Sequence, residues 1–172
     1  MKTRHAILAA SALFVTLASV GVVHTATRDD NSVDARLQRL EDKEAIRSLL
    51  IDYGRALDAR DFAAYGKLFA KEGTWKGGMG SATSPQNIAK MVEEGFKKMS
   101  PSLYEGSNHV MTSMDIDVHG DSGKAWSRWL WVVVGTDGKP RVERGGRYED
   151  TLVRENGEWK FRTRQAITEI NK

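Results

Sequence analysis

The chain has 172 residues, no cysteine, and 26 basic against 23 acidic residues for a formal charge of +3. The lack of cysteine excludes disulfides, a thiol nucleophile and an acylated lipoprotein cysteine. Setting aside Lys2 and Arg4 of the expected leader leaves 24 basic residues against 23, which carries no nucleic-acid signature, and the length accommodates one domain plus an address.

The first stretch, MKTRHAILAASALFVTLASVGVVHTA, places Lys2 and Arg4 ahead of an uncharged apolar run from Ala6 to Val23. That is the layout of a secretory signal, so residues 1–26 are expected to send the protein to the periplasm or beyond. His24 fits poorly three positions before a cut after Ala26, and an uncleaved membrane anchor is the alternative; only then would the membrane be a partner. A polar linker at 27–32 leads into one domain over 33–172. Val33, Leu37, Leu40, Ile46, Leu50, Tyr53 and Leu57 recur at helical spacing and predict a helix over 33–57. Asp61 is placed to cap a short helix carrying Phe62, Tyr65 and Phe69, and EGTWKGGMG reads as a strand and a glycine turn. Ser84 as cap and Pro85 as first residue open a third helix.

From Glu105 onward the pattern is β, with segments near 107–118, 124–134, 141–153 and 158–168 separated by HGDSG, GTDGKP and ENGE. Helices first and a meander afterwards give an α+β class: N-terminal helices packed on a curved, cone-shaped antiparallel sheet with an interior pocket. Period-2 alternation in the first of these strands puts Val110, Met114, Ile116 and Val118 on one face and His109 on the other. In AWSRWLWVVVG, Trp129, Trp131 and Val133 alternate with Leu130, Val132 and Val134, so this strand is apolar on both faces. One face is covered by the helices; the other is expected to form a homodimer interface or to curl around the pocket.

The stretches LQRLEDKEAIRSLLIDYGRALDARDFAAYGKLFAKEGTW, NHVMTSMDIDVHGDSGKAW and GRYEDTLVRENGEWKFRTRQ resemble the SnoaL-like branch of the nuclear transport factor 2-like superfamily. The resemblance spans about residues 33–168. Scytalone dehydratase, hexachlorocyclohexane dehydrochlorinase and bile-acid 7α-dehydratase belong to this branch. The first two pair an Asp at the end of the long helix with a His at the start of a long strand, as the third does. The resemblance assigns these roles to Asp58 and His109, adds Tyr53 as a third catalytic residue, and matches a last-strand arginine to Arg164. The second histidine of scytalone dehydratase is missing from RGGRY, where Gly145 and Gly146 stand.

An imidazole with a carboxylate on one ring nitrogen makes a base suited to removing a carbon-bound proton, and Tyr53 or Arg164 would supply a hydrogen bond to the developing negative charge. Trp75, Trp129 and Trp131 are either walls of a substrate pocket or plain core, and Arg164 suits a solvated strand face as well as it does a site. Only His109 and His119 remain beyond the leader, with no metal-ligand spacing. The expected chemistry is therefore that of a cofactor-free lyase, of dehydratase or dehydrohalogenase type, or an isomerase, acting on a small hydrophobic, cyclic molecule without nucleic acid. The competing reading is a non-catalytic protein of the same fold that binds a small ligand or assembles.

Overall fold

The computed structural model describes residues 32–99 and 106–171; the expected leader and all but the last residue of the linker lie outside them. Among the described residues no helix is long and apolar enough to cross a membrane. Helix α1, Val33–Asp58, starts where the Ser32 hydroxyl accepts the Ala35 N–H at 3.1 Å. Val33, Leu37 and Leu40 on its first turns are exposed, Ala35 between them is buried, and the larger buried side chains begin with Asp42 and Ile46. Asp61 caps α2, Phe62–Lys67, by accepting the Ala64 N–H at 2.8 Å. Helix α3, Pro85–Lys97, has Pro85 in its first turn, but the expected Ser84 side-chain cap is not made. Ser84 lies at φ 79°, and its backbone N–H instead bonds to the Gly73 carbonyl at 2.9 Å, tying the helix entrance to the sheet.

The strands are β1 Phe69–Gly77, β2 Gly80–Thr83, β3 Asn108–His119, β4 Ser122–Val134, β5 Pro140–Glu155 and β6 Glu158–Asn171. They form one curved, unclosed sheet in the order β2-β1-β6-β5-β4-β3. Strands β3 to β6 make the expected antiparallel meander, but β1 runs parallel to β6, so the sheet is mixed rather than purely antiparallel. Hydrophobic alternation records which face of a strand is buried and holds no record of which edge the strand joins.

Two bulges decide what faces the helices. Between Thr112 and Asp115, β3 spends one residue more than β4, and Ser113 there takes φ 50°. The extra residue reverses the alternation. His109 and Met111 are half-buried on the inner face with Ile116 and Val118, while Val110 is 44% exposed, so the uninterrupted period-2 reading of this strand fails at its N-terminal half. The same device acts in β6, where Arg162 is the extra residue between the pairs Thr151–Thr163 and Leu152–Phe161. Trp159, Phe161 and Arg164 consequently all face inward and are buried.

The core fills the concave face beneath the helices, with Ile46, Leu50, Tyr65, Ile88 and Val92 opposite Val133 and Phe161. On the convex face Leu130 and Val132 are half-buried, and Val110, Val134 and Ile170 are exposed.

Candidate active site

Helix α1 ends beside the start of β3, and Arg60 fixes that meeting. In a left-handed turn at φ 58°, its guanidinium donates to the Leu57 carbonyl at 2.6 Å and to the Ser107 hydroxyl at 2.7 Å, and it stacks 4.7 Å from the Phe96 ring centre. Three elements are thereby pinned around the helix end. Close approach also depends on Gly54, where a Cβ would come within 3.3 Å of Met111 Cγ and 3.8 Å of His109 Cβ.

Asp58, the last residue of α1, accepts the His109 backbone N–H at 2.9 and 3.1 Å, and its Oδ1 lies 2.7 Å from His109 Nδ1. The carboxylate therefore anchors both the strand and the ring. A neutral imidazole in this arrangement keeps its proton on Nδ1, facing the acceptor, which leaves the lone pair on Nε2. Negative charge at a helix C-terminus is disfavoured by the backbone dipole, so a positive charge on His109 would relieve Asp58. The His109 side chain is 9% exposed and that of Asp58 24%, which leaves the pair only partly screened by water.

His109 opens onto a cavity of about 130 Å³. Its wall includes Tyr53, Trp75, Trp129 and Trp131, as the sequence reading allowed, and Leu57, Met79, Phe96 and Met99 close it with apolar surface. Asp58 stands behind His109, outside the lining, so it and Tyr53 need not share one face of the helix. Trp131 stacks on His109 at 6.3 Å between centroids, and Trp129 stacks on Tyr148 at 5.7 Å.

The Tyr53 hydroxyl accepts from Trp75 Nε1 at 3.0 Å and from the Tyr65 hydroxyl at 3.1 Å. With both lone pairs engaged, its own proton is the one left to donate onward. Burial, and then the neighbouring Tyr53, push the Tyr65 hydroxyl well above the ordinary tyrosine range, and burial does the same to Tyr148. Both remain neutral donors.

Arg164 does not line the cavity. Its side chain and that of Asp150 are 0% exposed and joined by two hydrogen bonds, Nε to Oδ1 at 2.9 Å and Nη2 to Oδ2 at 2.8 Å. The guanidinium lies 3.9 to 4.2 Å from the ring centres of Tyr53, Tyr148 and Phe161. Burial raises the Asp150 carboxyl, and the pull of Arg164 only partly offsets it. The expected solvated or substrate-facing Arg164 is thus corrected to a buried support beneath Tyr53, because the bulge at Arg162 turns it inward. Three hydrogen-bonding residues of the wall were not singled out in the sequence, Arg144, Tyr148 and Thr168. The available signal was spacing: Arg141 and Arg147 each have a glutamate two residues on, and Arg144 has Gly146 there.

Residues 38–165 match the profile of the SnoaL-like domain family. No curated protein matches the sequence. Among solved structures, a protein of unknown function from Mycobacterium tuberculosis aligns with a TM-score of 0.67 at 16% identity, over 82% of this chain and 78% of the other. LinA aligns with a TM-score of 0.67 at 21% identity, over 78% and 90%. A candidate scytalone dehydratase from Novosphingobium aromaticivorans aligns with a TM-score of 0.66 at 24% identity, over 78% and 89%. At these identities the likeness is one of fold.

Proposed function

Because the chain belongs to the SnoaL-like domain family, and His109, held by Asp58, borders an apolar cavity, we propose that it is a cofactor-free lyase or isomerase acting on a small cyclic molecule. The observation that carries this reading is the 2.7 Å contact between Asp58 Oδ1 and His109 Nδ1, which leaves Nε2 as the basic atom of the ring. Similarity to a candidate scytalone dehydratase supports the elimination form of the reaction.

In that form, His109 Nε2 takes a proton from a carbon next to an electron-withdrawing group. The C–H electron pair becomes the new C=C bond as the neighbouring hydroxide or halide leaves with its own pair. A departing hydroxide takes up a proton to leave as water, from the His109 imidazolium or from Tyr53. Asp58 keeps the ring oriented and stabilises the imidazolium as it forms. The small, apolar wall limits water and strengthens each of these interactions. Without a leaving group, the same base returning its proton to another carbon gives isomerisation.

Assembly enters the same proposal. The convex apolar residues Leu130, Val132, Val134 and Val110 suit a homodimer interface, which as a stable contact buries about 1,200 Å² or more in total. Sedimentation of the domain at micromolar concentration checks this, and a strict monomer contradicts it.

The catalytic reading is tested by screening cyclic β-hydroxy carbonyl and halogenated compounds for turnover with wild type and His109→Gln. Turnover lowered about 10²-fold in the variant supports it. Turnover unchanged by His109→Gln assigns the chemistry elsewhere, and no turnover of any compound favours a binding protein of the same fold.

A further inference from the structure

Among the described residues, Arg144 is the one arginine in the cavity wall, and no Asp or Glu lines that wall. Its surroundings differ from those of its neighbours. Arg128 pairs with Glu169, Arg141 with Glu143, Arg147 with Glu149 and Glu169, and Arg154 with Asp42 and Asp121. Among the described residues the Arg144 side chain forms no ion pair or hydrogen bond, and its contact is with the Trp131 ring, whose centre lies 5.8 Å from the guanidinium carbon.

Register ties this cation to the base. His109 on β3 pairs with Trp131 on β4, and Trp131 pairs with Arg144 on β5, so the three stand in one row across the sheet. Two residues further along β5, a Cβ on Gly146 would fall 1.9 Å from the Ile167 carbonyl oxygen, so the close β5–β6 approach beside the row admits only glycine there. The indole nitrogens of Trp129 and Trp131 are buried, at 7% and 4% residue exposure, and have no hydrogen-bond partner among the described residues. Buried donors left unpaired are uncommon and disfavoured, and these two are covered by packing, so they reach an acceptor on a bound molecule only where the rings shift.

Resting on the reading of this cavity as a substrate site, we propose that its substrate is an anion: an apolar ring bearing a carboxylate that Arg144 receives at the rim. The carboxylate then lies across Trp131 from His109, which directs a different part of the ring toward Nε2. Arg144 is in this account a specificity determinant. Arg144 is exposed, so a neutral ring of equal shape leaves the guanidinium to water and forgoes the charge-assisted contact that a carboxylate makes.

The test is calorimetric binding of benzoate and of benzamide, which share a ring and differ in charge, to wild type, Arg144→Gln, Arg144→Lys and Arg141→Gln. Wild type is expected to prefer benzoate by about tenfold or more, as a charge-assisted contact implies. Arg144→Gln removes that preference, Arg144→Lys restores part of it, and Arg141→Gln, on the same strand but outside the cavity, keeps it. Equal affinity for the two probes, no measurable binding of either, a preference that survives Arg144→Gln, or an equal loss in Arg141→Gln overturns the proposal. Turnover plays no part in the measurement, so its failure leaves the His109 base to be judged by its own kinetics. Conversely, Arg144-dependent benzoate binding by a protein without turnover would sink the elimination reading alone.

Discussion

Asp150 grips Arg164 through two hydrogen bonds with both side chains at 0% exposure, and aromatic rings cover the guanidinium. Asp58 holds His109 through one ring nitrogen, with 24% and 9% of the side chains exposed, and the ring borders a cavity. Both pairs join a carboxylate to a basic side chain on the concave side of the same sheet. In the first, packing surrounds the basic group and holds a tyrosine above it. In the second, one basic nitrogen is left over. A carboxylate–cation pair is thus read by what the cation has left to do, and this assigns Arg164 to stability and His109 to chemistry.

Arg164→Met breaks the comparison most severely. It leaves Asp150 buried without its partner, and the loss of stability in urea is expected at about 3–5 kcal/mol. Pairing it with Asp150→Asn should recover part of that loss, and a loss under about 1 kcal/mol for Arg164→Met would remove the structural assignment. The other pair is expected to behave oppositely. Asp58→Asn should lower turnover by about 10²-fold, close to the effect of His109→Gln, with the double variant losing little beyond either single one. A multiplicative loss in the double variant would mean that the two side chains act separately.

Asp42 sharpens the contrast through pH. Burial works against its charge, but hydrogen bonds from Arg154, Trp159 and Gln38 outweigh burial and hold the carboxyl below the ordinary range. A folded value below the unfolded one of about 3.9 means that its contribution is present above that pH and is lost as pH falls through the folded value. Asp42→Asn should therefore cost about 1–3 kcal/mol at pH 7 and progressively less in acid, measured by urea unfolding across pH. A cost that is flat with pH would contradict this assignment. The smallest effect is expected at the β3 bulge. Ser113→Val places a branched side chain at φ 50° and should cost about 1–2 kcal/mol, while Ser113→Gly should stay within about 0.5 kcal/mol of wild type. Equal thermal shifts for the two would show that this backbone position carries no conformational demand.

Those bulges also mark where sequence reading ended. Helix α1, the Asp61 cap, the Pro85 start of α3 and the four-strand meander were legible because apolar spacing and turn residues act locally. The contact between Asp58 and His109 was legible through family resemblance, although the strand face assigned to His109 was wrong. Nothing in EGSNHVMTSMDIDVHGD announces that Ser113 is an extra residue, and nothing in EWKFRTRQ announces the same of Arg162. Each bulge is set by pairing with a neighbouring strand, and one inserted residue reverses every side chain on one side of it. The parallel β1–β6 pair was hidden for a related reason, since strand direction depends on the path of the whole chain. Arg144 was overlooked because an unpaired arginine is recognised only by comparison with its paired neighbours.

The most direct test of the central claim is the protonation pattern of the His109 ring itself. Nitrogen-15 correlation spectra of the wild-type domain, recorded above the pH at which the ring is charged, distinguish a proton on Nδ1 from one on Nε2. The account predicts the Nδ1–H form, with Nε2 carrying the lone pair beside the cavity. A neutral His109 with its proton on Nε2 would contradict it, because the ring would then present a donor where the proposed chemistry requires a base.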